Sequence, residues 1–368
     1  MFRTKLSAAV IAILVATACT IEDASAPSGE PKDRQKRSIG EREEPSELLY
    51  VKGSSLFVYD LDSGRRRRVA ELPSADVAVS PDGKKYAVVE ETSPAGSAPE
   101  GFRKPVLQLG SLDRQGTRKL GPGRSPLWSP DGKYVAAIAE ARGVFSCDAR
   151  PGDPRKTKTC RETDLVVAYS AVRTDRPRIA LGADRWSIIG WTAEDQILAT
   201  SLIFQNVVLG HPGATSEEAE TLNLEPAEVW GVSPSEYTLL VVQDGRTFFA
   251  SPGVGEGASV HLKGALLGDG TWSPDGKKIA AVAIEQRGQA SPRSELVVLD
   301  VATGKVKEVP RSKNAQSAAV WSQDSHFFAY VRVDPASASK LQGVICSIEL
   351  NCDTLFSWGQ GVALLSLR

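Results

Sequence analysis

From about residue 47 onward the chain is written in short alternating apolar runs, each closed by a cluster of turn formers, and nowhere does the apolar spacing settle into a helical period. One phrase organises these runs. Residues 270–283 read GTWSPDGKKIAAVA, 126–140 read PLWSPDGKYVAAIAE and 77–89 read VAVSPDGKKYAVV, with fainter copies at 189–200, 229–242 and 319–332. Each copy predicts a hairpin. An aromatic and β-branched strand leads into the turn, and a strand of small and β-branched residues leaves it. Ser, Pro, Asp and Gly suit a type I turn, with Ser accepting at the first position, Pro presetting φ and Gly free to take a positive φ at the last. Residues 294–309 (SELVVLDVATGKVKEV) and 56–72 (LFVYDLDSGRRRRVAEL) supply a second kind of hairpin, with a polar outer strand.

The turn residues Ser80, Ser129, Thr192, Ser233, Ser273 and Ser322 recur at intervals whose shortest value is 40 residues. A period of about 40 to 45 residues holding four short strands is one propeller blade, and small residues on the second strand fit a crowded interior near an axis. The expected fold is therefore an all-β propeller of four-stranded antiparallel blades. Six repeats carry the hairpin and residues 47–72 add three further strands, so seven blades are favoured, with six as the alternative. The first blade then lacks an inner strand unless the segment before it or the C-terminal VALLSL supplies one.

The phrase WSPDGK with its small-residue strand, together with the later LxVxDxxTGxxxxV pattern, resembles the TolB-type β-propeller repeat of bacterial envelope proteins. The resemblance covers roughly 47–368, is strong in three copies and degenerate in three. It implies the fold and an extracytoplasmic setting. TolB carries a sizeable α/β domain before its propeller, whereas a short charged segment precedes the first strand here, so TolB's own role is not carried over.

The first 46 residues read differently. Arg3 and Lys5 precede an apolar run from Leu6 to Val15 and the small residues Ala16-Thr17-Ala18, which is the pattern of an export signal over residues 1–18. Cys19 follows at once, an arrangement that resembles a bacterial lipobox with Cys19 acylated, although Ala16 stands where Leu is usual; an ordinary secreted chain is the alternative. Residues 19–46 lack apolar periodicity and read as a flexible tether with a reach of about 30 Å. The expected location is the outside of a cell membrane, facing the periplasm or the cell surface and held by the lipid anchor. In an oxidising compartment the other four cysteines read as two local disulfides, Cys147 with Cys160 and Cys346 with Cys352; a four-thiolate zinc site is the rival reading and has no CxxC spacing behind it.

The long spacers at 91–105, 141–163, 286–293 and 333–351 are all expected between the second and third strands of their blades, on the face opposite the Ser-Pro-Asp-Gly turns. Both disulfides would stiffen that face. Insertions collected on one rim mark a partner surface. The four segments together carry a net charge of +4, and the candidate partner-binding residues are Arg142, Arg150, Arg155, Lys156, Lys158, Arg161, Arg287 and Arg293. Such an excess suits an acidic envelope protein or an anionic polymer, and ordinary solvated loop charge explains it equally well. Asp76, Asp184, Glu228 and Asp269, placed at the start of inner strands, are read as a carboxylate ring that holds calcium or as ordinary solvated turns.

The remaining conspicuous residues have plain readings. Arg65 to Arg68 protect an outer strand edge, and Trp128, Trp191, Trp230, Trp272 and Trp321 pack between blades. The net charge of −1 argues against nucleic acid as a partner. His211, His261 and His326 are scattered, and no GxSxG elbow, HExxH or P-loop occurs, so the expectation is a monomeric, non-enzymatic interaction platform without cofactor or metal. The alternative is a propeller lyase or hydrolase acting on a polymer through the channel carboxylates.

Overall fold

In the computed structural model, the turn phrase closes on its own serine. At Ser129 the hydroxyl accepts the Tyr134 N–H at 2.9 Å and donates to Asp131 Oδ1 at 2.7 Å, while that same carboxylate oxygen accepts the Lys133 N–H at 2.9 Å. Gly132 donates its N–H back to the Ser129 carbonyl at 2.9 Å and takes φ +69°, which is why glycine ends the phrase. Ser80 and Ser273 repeat this set, as does Ser322, where Ser325 takes the positive φ. Thr192 and Ser233 keep a looser version. All six are buried.

The structure describes residues 45–92, 104–114, 116–147, 160–173, 176–201, 206–213, 218–222, 228–243, 246–251, 255–262, 265–285, 293–317, 319–359 and 361–368. The chain divides into two units, Met1–Glu43 and Glu44–Arg368, and the described residues lie in the second. No α-helix occurs among them.

Seven four-stranded antiparallel sheets form seven blades. Blade one contains β1 (Glu47–Lys52), β2 (Ser55–Asp60) and β3 (Arg66–Glu71). Blade two is β4 (Val77–Val79), β5 (Lys85–Thr92), β6 (Lys104–Ser111) and β7 (Thr117–Pro122). Blade three runs from β8 (Arg124–Trp128) through β9 (Tyr134–Cys147) and β10 (Cys160–Ser170) to β11 (Arg178–Asp184). Blade four is β12 (Trp186–Trp191), β13 (Ile197–Ser201), β14 (Val207–Gly210) and β15 (Glu220–Leu222). Blade five is β16 (Glu228–Val232), β17 (Leu239–Gln243), β18 (Arg246–Ser251) and β19 (Gly255–Val260), and blade six is β20 (Ala265–Trp272), β21 (Lys278–Glu285), β22 (Arg293–Asp300) and β23 (Val306–Glu308). Blade seven is β24 (Val320–Trp321), β25 (Phe327–Asp334), β26 (Ser337–Ser347) and β27 (Cys352–Trp358). The last strand, β28 (Val362–Leu367), is the VALLSL segment, and it pairs antiparallel with β1 as the inner strand of blade one. We call the strands of a blade a to d from the inside outward.

The apolar alternation now has a destination on both faces of each sheet. Along β21, Ile279, Ala281 and Ala283 face the interface with blade five, while Ala280 and Val282 face blade seven. Strand b is thus buried on both sides, and alanine there lets two neighbouring blades approach closely. Among the described residues seven such clusters exist, one for each pair of adjacent blades.

The tryptophans tie these interfaces together. Trp128 donates its indole N–H to the Ala78 carbonyl of the preceding blade at 3.0 Å, Trp191 to Leu127 at 3.1 Å and Trp321 to Thr271 at 3.0 Å. Each donor stands one residue before its turn residue, and each acceptor two before the turn residue of the previous blade. Trp272 lies over Gly231 at the matching place. Trp230 departs from the expected packing. It sits three residues before Ser233, within the register shift of β16, and is 38% exposed.

The ring closes at blade one. The backbone N–H groups of Ser46 and Glu47 donate to the Arg368 carbonyl at 2.8 and 2.7 Å, and the Arg368 guanidinium bonds Glu47 and the Gly83 carbonyl in the turn of blade two. This junction stands where the other blades have their a–b turn.

Candidate interaction faces

Strand direction sorts every connection onto one of two faces. The a–b and c–d turns share one, here the turn face, and the b–c and d–a connections share the other, the insertion face. On the turn face the hairpins are short and touch one another: Ser235 donates to the Asp275 carbonyl at 2.7 Å, and the Asp275 N–H donates to Ser325 Oγ at 3.0 Å. Burial works against ionisation of Asp82, Asp131 and Asp324. Hydrogen bonds from the turn serines and nearby N–H groups outweigh it and hold all three carboxyls below the ordinary aspartate range.

The insertion face is irregular. Segments 91–105, 141–163 and 286–293 do lie between strands b and c, as expected. In blade three both strands extend, so Arg142 falls on β9 and Arg161 on β10, and Arg293 opens β22. Arg150, Arg155, Lys156, Lys158 and Arg287 lie outside the described residues. The register sets Cys147 directly opposite Cys160 across β9 and β10.

Segment 333–351 corrects the sequence reading. Its b–c connection is a tight hairpin that pairs Asp334 with Ser337, and the apparent insertion is the long strand β26 followed by a turn at Leu350. Cys346 and Cys352 are disulfide-bonded across that c–d turn, so this staple sits on the turn face and stiffens the side opposite the insertions. The small and polar residues SASK at the start of β26 interrupt its apolar pattern, so the strand reads as loop in the sequence.

The proposed carboxylate ring resolves into separate local roles. Asp76 accepts the N–H of Ser125, a non-glycine at φ +53°, at 3.0 Å, Asp184 is buried and accepts the Arg185 N–H at 2.6 Å, and Glu228 takes the Trp230 indole N–H at 3.4 Å. The Asp269 side chain lies outside the described set. Among the described residues no three carboxylate, His or Cys side chains gather as a metal site.

Two polar links on this face carried no sequence signal. Arg124 bonds Asp164 at 2.9 Å; burial pushes the Asp164 carboxyl up, opposed by Arg124 and Arg185. Arg332, 8% exposed, spends its guanidinium on Gln342 Oε1 and the Arg311 carbonyl, which fastens the d–a segment after blade six over the joint with blade seven.

No protein-family model and no curated protein matches the chain. Solved structures do. A prolyl endopeptidase matches at 16% identity and TM-score 0.59, over 88% of this chain and 49% of its own. An acylaminoacyl peptidase in complex with a chloromethyl ketone matches at 14% and 0.57, over 84% and 50%. TolB from Acinetobacter baumannii matches at 17% and 0.46, over 88% and 65%. The chain therefore spans about half the length of these peptidases and about two thirds of that TolB. TolB structures, the family whose repeat the sequence phrase resembles, stand among the fold neighbours of this seven-bladed propeller.

These matches overturn the expectation of a non-enzymatic protein. That expectation rested on the absence of nucleophile and metal motifs along the chain. Propellers of this shape stand within peptidase chains about twice the matched length, so missing motifs in a propeller do not exclude catalysis.

Proposed function

We propose that the chain is an export-targeted propeller, tethered outside the cell membrane through Cys19, that captures an acidic protein or an anionic polymer of the envelope on its insertion face. The observation that carries this reading is the inequality of the two faces. The turn face repeats one self-satisfied hairpin, while on the insertion face β9 and β10 extend into the 141–163 insertion of blade three and Arg332 straps the joint of blades six and seven across the ring. Repetition leaves little to recognise; irregular loops on a rigid array are where repeat proteins discriminate partners.

The test is crosslinking on intact cells, read by mass spectrometry, with the wild type and a variant in which residues 141–163 are cut to a tight turn. The shortened chain is expected to lose its crosslinked partner while thermal unfolding stays cooperative. Reversing Arg155, Lys156 and Lys158 should slow association about tenfold at low salt. Undiminished capture by the shortened chain, together with loss of capture on Lys84→Glu or Lys133→Glu, would place the partner on the turn face instead.

A further inference from the structure

The outer edges of the blades differ in charge. From the end of strand c to the end of strand d, blades one to three (residues 60–71, 111–122 and 170–184) carry ten Arg and Lys against six Asp and Glu. The same stretches of blades four to seven (210–222, 251–260, 300–308 and 347–358) carry two against eight. Protection of exposed strand edges accounts for basic residues on a d strand, but it predicts them on every blade. Here they stop after blade three.

The cations stand in a crescent of three successive blades, and two of them reach across a blade joint. Arg66 lies 4.4 Å over the ring of Phe356 in blade seven, and Arg118 reaches from blade two to the carbonyls of Arg173 and Ser170 in blade three at 3.1 and 3.4 Å. Arg65, Arg67, Arg114 and Lys119 between them are exposed. The crescent also borders the point where the chain enters the propeller at Ser46. Leu61 in the c–d turn of blade one donates its N–H to the Ser46 carbonyl at 2.8 Å, so the chain enters the propeller on the turn face, against the start of the arginine run.

We infer that this crescent lies on an anionic lipid bilayer, so that the propeller is oriented as well as tethered, with the insertion face turned away from the membrane. A tether alone, with a reach of about 30 Å, leaves every orientation open. A basic arc at its point of exit selects one, because headgroup attraction decays within a Debye length of about 8–10 Å and acts only on the side held near the surface. The orientation rests on the reading of Cys19 as the anchor; the affinity of the crescent for anionic lipid does not.

The test uses the full chain carrying Cys19→Ala, which removes the acyl group, and the same chain with Arg65→Glu, Arg67→Glu, Arg114→Glu and Lys119→Glu added. Both keep residues 1–46, so a difference between them reads the crescent alone. Each is sedimented with vesicles of phosphatidylglycerol in phosphatidylcholine and with phosphatidylcholine alone. The parent is expected to prefer the anionic vesicles, to lose that preference at high salt, and to exceed the reversed variant by about tenfold or more. If the reversals prevent folding, the set with Gln in place of Glu gives the same comparison. Equal binding by parent and variant, no preference for anionic lipid, or capture of soluble polyphosphate without vesicle binding overturns the inference. A variant shortened at 141–163 that keeps vesicle binding but loses its crosslinked partner separates this surface from the insertion face.

Discussion

A single hydroxyl decides whether each inner hairpin closes. Ser129 is fully buried and is the partner of the Tyr134 N–H, so Ser129→Ala strands a backbone donor in the interior. The expected cost is about 1–3 kcal/mol in denaturant unfolding. Ser63→Ala, in an exposed turn, should stay within about 0.5 kcal/mol. The partner carboxylates add a pH signature. Because Asp82, Asp131 and Asp324 have folded pKa values below the ordinary one, their contribution is fully present above about pH 4 and is lost as pH falls through the folded values. Asp131→Asn should therefore flatten the acid limb of a plot of unfolding midpoint against pH, and an unchanged limb would contradict the assignment. The role of these serines as acceptors was legible in Ser-Pro-Asp-Gly itself, since the bonds span five residues. The inter-blade bonds of the tryptophans were not, because Ala78 and Trp128 are joined only by ring geometry.

At the level of the strand and its connections, the two cysteine pairs test the corrected topology. Cys346 and Cys352 close a loop six residues apart, and in the chain-entropy model such a link stabilises by about 2 kcal/mol, often less. Cys346→Ser should lower stability by up to that amount and leave partner capture intact, because its turn lies opposite the insertions. Non-reducing peptide mapping is expected to recover a Cys147 to Cys160 peptide as well, following the β9–β10 register. Recovery of a Cys147 to Cys346 link would contradict the strand order of blades three and seven. The sequence placed Cys346 and Cys352 correctly as a local pair. It put that pair on the wrong face because the start of strand β26 carries small polar residues that read as loop, and the b–c hairpin at Asp334 and Ser337 lacks the glycine that marks other turns.

The whole molecule depends on a closure between distant residues. Strand β28 shields the edge of β1, and Arg368 ties Glu47 to the turn of blade two. Deleting residues 362–368 should expose that edge, broaden thermal unfolding into a non-cooperative transition and promote self-association on gel filtration. Arg368→Ala keeps the strand and should cost only about 1 kcal/mol, the worth of a partly exposed ion pair and its hydrogen bonds. Unaltered cooperativity in the deletion would show that blade one closes without its inner strand.

The sequence by itself determined the hairpin, the four-stranded module, the all-β class and the favoured count of seven, since turn chemistry and alternation act within a few residues and repeat along the chain. It could offer VALLSL as a closing strand without deciding between that and the segment before β1, since strand pairing, which only the folded chain shows, distinguishes them. Only the tertiary structure decided that the Cys346–Cys352 turn lies on the turn face, that Asp76, Asp184 and Glu228 serve separate local bonds, and that the basic d strands stand on three successive blades. Those properties depend on the angle between neighbouring blades and on contacts some 50 residues apart, as between Trp321 and Thr271, and no local pattern in the chain encodes them.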